Sequence, residues 1–206
     1  MTAGARRIAP IRDVSFAVRA GTTSALVGRE GSGKAAIVRC VLGEIRPESG
    51  RVAVLGVDPR RERRKLKGRV RFEEMNGTLR VDTDPPTTLL LTGDPRRAAG
   101  ADRVGFLSGG RLVLEDALPE LLARFRRIRY VNEMTETRTD YGNELDLFDA
   151  VRVKVRGWGV DAVVSNFDET AFERFRATDG VRDARADPMT VEEIFDAVSG
   201  THERGI

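Results

Sequence analysis

Ser24-Ala25-Leu26-Val27, followed without a break by Gly28-Arg29-Glu30-Gly31-Ser32-Gly33-Lys34-Ala35, is the stretch that decides the fold. The glycines and the lysine fall in the order G-x-x-x-x-G-K, the spacing of a phosphate-binding loop. An apolar strand pattern precedes them, and a helical pattern, Ala35-Ala36-Ile37-Val38-Arg39-Cys40-Val41-Leu42, comes after. Strand, loop and helix in this order are the context in which such a motif works. Glycines let the backbone turn tightly and aim successive N–H groups at one centre. The helix after the loop adds the positive end of its dipole. Lys34 supplies a point charge for the outer phosphates of a nucleotide. At Ala35 the motif calls for a serine or threonine whose hydroxyl holds Mg²⁺. The expected site, Gly28 to Ala35, therefore binds phosphate but leaves one Mg²⁺ ligand to water.

Outward from the loop, residues 11–20 alternate apolar and polar and predict a half-buried strand. Arg46-Pro47-Glu48-Ser49-Gly50 is a turn cluster, and residues 51–56 read as a further strand. Lys and Arg occupy positions 60, 61, 63, 64, 65, 67, 69 and 71, which predicts a solvated surface helix. No aromatic residue interleaves that run, so it lacks the stacking platform that single-stranded nucleic acid needs, and no nucleic-acid partner is expected. Thr87 to Leu91 is a strong strand, 93–102 reads as helical, and Val104 to Leu107 is a strand. Ser108-Gly109-Gly110-Arg111 makes a hairpin turn into Leu112-Val113-Leu114, and Pro119 opens a helix.

Beyond residue 126 short strands and short helices alternate. Ile128 to Asn132, Val151 to Val155 and Asp161 to Ser165 are strands, and residues 140–144 are a polar turn. Asp168 caps a helix, and Thr190 with Glu193 forms a capping box for the next. The expectation is an α/β core over 1–126 and a small α+β domain over 127–206.

The bulk numbers agree with a soluble protein. The chain has 206 residues, 33% of them charged, and a net charge of +3, too small to argue for a polyanionic partner. One cysteine, Cys40, excludes an internal disulfide and suits a reducing compartment. Apolar runs such as Thr88 to Leu91 are too short to cross a bilayer, and the first ten residues lack the apolar core of a secretory signal. Residues 127–206 hold no cluster of His, Cys and carboxylates, so no metal site is read there. A cytoplasmic protein is expected, touching the inner face of a membrane only through a partner.

Three segments together resemble the ATP-binding subunit of an ABC transporter. Asp13-Val14-Ser15-Phe16, the loop at 28–34, and Leu42 through Val52 resemble the first part of that domain. Thr88 to Thr92 is similar to the strand leading into the family's switch histidine, and residues 101–113 to the strand pair after it. Residues 127–206 resemble the regulatory tail of some bacterial exporter-type subunits. The resemblance implies a P-loop NTPase core of ABC type, ATP as ligand, and a transmembrane permease subunit as partner.

It also implies what has gone. Between Lys34 and Gly93 there is no room for the family's glutamine loop, helical subdomain, signature sequence and catalytic carboxylates together. Residues 69–74 resemble the approach to the glutamine loop, with Glu where Gln is expected. The switch position holds Gly93, and no aromatic in residues 1–12 is placed to stack on adenine. Asp82 is either a stand-in for the Mg²⁺ aspartate, with Thr83 replacing the glutamate, or part of a surface turn ended by Pro85 and Pro86. Leu107-Ser108-Gly109-Gly110 spells the family signature but continues as a strand, where a hairpin turn explains its glycines. No catalytic residue is assigned.

The function expected is a degenerate ATP-binding subunit with little or no hydrolysis of its own, completing a site only with an intact ATP-binding subunit. A non-catalytic interaction protein working through its C-terminal domain is the alternative. A small P-loop kinase or GTPase is a third reading, weakened by Ala35 and by the want of a substrate-binding segment.

Overall fold

A computed structural model describes residues 10–132, 145–157 and 159–202. The chain divides into two compact units, Met1–Asp116 and Ala117–Ile206. The division falls ahead of the expected boundary after residue 126, because the helix opened by Pro119 is bonded to residues of the second unit. Its Arg124 carbonyl accepts from the Phe167 amide, and its Arg124 guanidinium donates to the Ser165 carbonyl at 3.0 Å. The expected polar turn at 140–144 lies outside the described residues.

The first unit is built on a six-stranded mixed sheet, so the α/β reading of the fold stands. Its strands are β1 (Thr23–Gly28), β2 (Val70–Glu73), β3 (Thr78–Val81), β4 (Thr87–Thr92), β5 (Arg103–Ser108) and β6 (Arg111–Ala117), in the order β2-β3-β4-β1-β5-β6. β1 lies at the centre of the fold's logic. It runs parallel to β4 on one side and to β5 on the other, pairing Val27 with Thr92 and with Phe106. Strands flanked by parallel neighbours are covered on both faces, which is why Ala25, Leu26 and Val27 are all buried. Helix α1 (Lys34–Val41) packs Ile37 and Val38 against Leu26, Leu89, Leu91 and Leu107. On the same side Leu79 and Val81 of β3 join the core. The helical stretch expected at 93–102 is a 3₁₀ helix, Pro95–Gly100, which packs beside β1 and β4 and is capped by the Asp94 carboxylate on the Arg96 amide at 3.0 Å.

Three expectations are corrected. Residues 11–20 form no strand. Ile11, Val14, Phe16 and Val18 do pack on the core, so the alternation is real. Yet Asp13 sits at φ 53 and breaks the extended run, and the Arg12 amide donates to the Gly110 carbonyl at 2.8 Å. Residues 51–56 are a tight turn closed by a Val54–Val57 bridge, with Leu55 and Gly56 both at positive φ. The basic run is helical only as α2 (Arg63–Leu66), which buries Leu66, and is ended by an extended Lys67 and by Gly68 at φ 77. Of the rest of the run only Arg71 lies in β2.

The second unit holds helix α3 (Leu118–Arg124) and a four-stranded antiparallel sheet of β7 (Arg126–Asn132), β8 (Ala150–Arg156), β9 (Gly159–Val164) and β10 (Val181–Pro188), ordered β10-β7-β9-β8. Numbered within the unit, that order is 4-1-3-2, the arrangement of the split β-α-β motif. α4 (Glu169–Arg176) supplies one crossover, capped by the Asp168 carboxylate on the Ala171 amide at 2.7 Å. Ile128, Tyr130, Val160 and Ala162 face it and pack with Phe148, Phe172 and Phe175. The ring of Tyr130 meets that of Phe175 edge to face, centroids 5.0 Å apart. α5 (Val191–His202) opens with the expected capping box, the Thr190 amide donating to Glu193 at 2.9 Å. It covers part of the opposite face, where Arg152 donates to the Asp196 carbonyl and Arg127 meets Glu193 at 3.5 Å.

Candidate functional site

The chain leaves β1 at Gly28, turns through residues 29–33 and enters α1 at Lys34. Each glycine of the turn has its own physical reason. A Cβ on Gly28 would run into the Ser32 hydroxyl and the Leu107 carbonyl. Gly33, the residue before the helix, sits at φ 102, and a Cβ there would collide with the Ile11 side chain. Gly31 is at φ 79 with nothing within 4 Å of where its Cβ would stand, so the loop is open on that side.

The amides of Gly31, Gly33, Lys34 and Ala35 find no acceptor among the described residues, while the Ser32 amide closes the turn on the Arg29 carbonyl at 3.1 Å. The first turn of α1 carries no acidic side chain. The loop thus presents unused donors and a helix N-terminus at one place, with no carboxylate on the helix to compete. Lys34 is folded back over it. Its ammonium donates to the Gly28 carbonyl, to the Arg29 carbonyl at 2.9 Å and to the Ser32 hydroxyl at 3.3 Å. Burial holds its pKa below the ordinary lysine value, and the nearby Glu30 carboxylate partly offsets that. A half-buried ammonium with only neutral oxygens for ligands is set to gain from a phosphate. The phosphate part of a nucleotide fits this cradle.

A metal ion fits less well. Ala35, exposed beside the helix N-terminus, has no oxygen to offer. Among the described residues no group of three or more His, Cys, Asp or Glu side chains is gathered to hold a metal ion.

The sheet register places the other sequence candidates. Gly93, at the switch position, comes after β4 directly beside the loop, and a Cβ there would stand 3.8 Å from the Gly28 carbonyl. Asp82 goes elsewhere. β3 runs antiparallel to β4, pairing Thr78 with Leu90 and Val81 with Thr87, so Asp82 emerges at the end of the sheet opposite the loop. There Thr83 bonds the Thr87 hydroxyl at 2.6 Å and the Pro85 carbonyl at 2.7 Å. The surface-turn reading of Asp82 is the right one. Glu73 and Glu74 come out at the loop's end of the sheet, but β2 is three strands away from β1. The Leu107-to-Gly110 match is a hairpin between β5 and β6, with Gly109 at φ 55 and Gly110 at φ 79. Gly110 has a second duty, since a Cβ there would strike the Pro10 carbonyl.

One positioning residue escapes the sequence reading. Ile11 lies against Gly33 while its neighbour Arg12 is tied to Gly110, and the Asp13 carboxylate meets Arg111 at 3.0 Å. The segment 11–13 thereby straps the loop to the β5–β6 hairpin. Its only trace in the sequence is the alternation that predicted a strand.

Comparison with known proteins finds matches to the part of the chain that includes this loop. The family described as ABC transporter matches residues 11–88, which span the strap, the loop, α1 and the start of β4. The mycobactin import ATP-binding/permease protein IrtB of Mycolicibacterium smegmatis is 35% identical over 112 residues, covering 52% of this chain and 18% of the relative. The methionine import ATP-binding protein MetN of Myxococcus xanthus is 34% identical over 105 residues, covering 47% of this chain and 32% of the relative. The phosphonates import ATP-binding protein PhnC of Nitratidesulfovibrio vulgaris is 37% identical over 75 residues, covering 33% and 28%. In each case the matched part spans less than a third of the relative. Over residues 11–88, which carry the loop, the chain is similar to the ATP-binding domains of ABC transporters.

Proposed function

We propose that this chain is an ATP-binding component of an ABC-type membrane transporter that grips nucleotide through residues 28–35 and turns it over slowly, if at all, on its own. The observation that carries the reading is the set of unengaged amides at Gly31, Gly33, Lys34 and Ala35 beside the Lys34 ammonium. Phosphoryl transfer depends on positioning and charge stabilisation, and each lost stabilising group commonly costs on the order of 2–4 kcal/mol of barrier. Three such groups are wanting near this loop. Position 35 has no hydroxyl, Gly93 has no side chain to sense a γ-phosphate, and Asp82 lies at the far end of the sheet.

A permease subunit supplies the membrane part, and an intact ATP-binding subunit supplies the signature segment that would face this loop. Among the described residues no helix is long and apolar enough to cross a membrane, in keeping with attachment through such a partner. The names of the relatives, ATP-binding proteins of import systems and one ATP-binding/permease protein, support the same assembly.

Calorimetry with ATP, with and without Mg²⁺, tests the proposal. Saturable binding that is lost in Lys34→Ala is expected. No heat in either condition would leave a non-catalytic interaction protein as the reading, and turnover at ordinary ATPase rates by the pure chain would refute the loss of catalysis.

A further inference from the structure

The second unit carries a groove of about 570 Å³ on the half of its sheet that α5 leaves uncovered. Strand register decides what points into it. Arg185 of β10 stands opposite Arg129 of β7, Arg129 opposite Asp161 of β9, and Asp161 opposite Lys154 of β8. Arg156 lies two residues beyond Lys154, on the same face. Asp183 completes the charged part of the lining.

The charges do not cancel. Arg129 is held by Asp187, with its Nε at 3.2 Å, and Asp161 has Arg127 at 3.9 Å. Lys154, Arg156 and Arg185 have no carboxylate partner among the described residues. Basic residues on one edge strand would only discourage strand addition. Here the cations come from both edge strands and from a central one, and all converge on one face. The backbone adds a second mark. β10 is bulged between Arg182 and Arg185, and Asp183 sits in the bulge at φ 52, a conformation disfavoured for a residue with a side chain. Bulges of this kind re-aim side chains, and strained residues gather where a ligand is held.

We propose that this groove binds a small phosphorylated molecule, its phosphate charges met by Lys154, Arg156 and Arg185 and a hydroxyl of the same molecule donated to Asp183. The site is independent of the loop at 28–35. Arg129 is fixed by Asp187 and serves as a preset wall, while the three cations without carboxylate partners gain the new bonds.

Inorganic pyrophosphate is the probe, titrated by calorimetry into the full chain carrying Lys34→Ala, so that the first unit's ammonium is gone. One equivalent is expected to bind. Neutralising Lys154→Gln with Arg185→Gln weakens it by about tenfold or more, since each charge-assisted bond is worth at least that factor. Arg63→Gln with Arg64→Gln, which removes the same charge from α2, leaves it unchanged. All four side chains are exposed, so unchanged thermal melts of the unliganded variants verify the fold. No binding to the Lys34→Ala chain, or an equal loss in the α2 variant, overturns the proposal. The part of ATP binding that Lys34→Ala removes and that Lys154→Gln with Arg185→Gln leaves in place reports separately on the first unit.

Discussion

The Lys34 ammonium is bonded to the Arg29 carbonyl at 2.9 Å, within the loop it is expected to serve. A lysine held this way has lost water and is bonded to neutral oxygens, and burial, partly offset by the Glu30 carboxylate, keeps its pKa below the ordinary 10.5. Folded protein therefore releases this proton at lower pH than unfolded protein does. Stability then rises with pH through the window between the lowered value and 10.5. Denaturant unfolding of the nucleotide-free chain between pH 8 and 10.5 should show this rise relative to Lys34→Met. Parallel pH profiles would show that the ammonium is not desolvated.

Restoring the hydroxyl at position 35 separates metal binding from catalysis. Ala35→Thr should make ATP affinity depend more strongly on Mg²⁺, by about tenfold, the worth of one good ligand contact. Turnover should stay near background, because Gly93 and the distant Asp82 are unchanged. An unaltered Mg²⁺ response, measured by titration at fixed ATP, would remove the role given to position 35.

Gly33→Ala is expected to cost about 1–3 kcal/mol, the strain of a side chain at φ 102, and to abolish ATP binding. Combining it with Ile11→Ala relieves the collision but leaves the strain. The double variant should recover part of the stability without recovering affinity. Full recovery of both would mean that crowding against Ile11, rather than the left-handed turn, sets the requirement for glycine.

Phe175 anchors the second unit's core, 4% exposed and in contact with the rings of Tyr130, Phe148 and Phe172. Truncation to alanine should destabilise by about 3–5 kcal/mol. Asp168→Ala, which removes the cap of α4, should cost about 1 kcal/mol. Equal effects of the two, read by denaturant unfolding, would contradict the packing described.

The loop was legible because its residues are dictated locally. Turn conformation and helix start both lie within Gly28 to Ala35, so no distant partner is needed to read them. Buried parallel strands such as β4 and β5 announce themselves by apolar runs. β10 did not, since as an edge strand it buries little, and Val-Arg-Asp-Ala-Arg-Ala-Asp-Pro carries no clean alternation. The strap at 11–13 and the direction of β3 depend on what each segment meets far away in sequence. Periodicity reports that a face is buried, and is silent on which neighbour buries it. The place of Asp82 turned on strand direction alone.

Reversing β3 has a consequence for how so short a core holds together. A parallel neighbour for β4 would demand a crossover of a dozen residues or more on one face. An antiparallel one needs only the connection at residues 82–86, with β2 added by another short turn. Leu79 and Val81 still fill the space beside Leu89 and Leu91. A hairpin in place of a crossover thus keeps one unbroken sheet behind the loop at 28–35 with five linking residues, 82–86, and leaves the link between β3 and β4 free of any spanning helix.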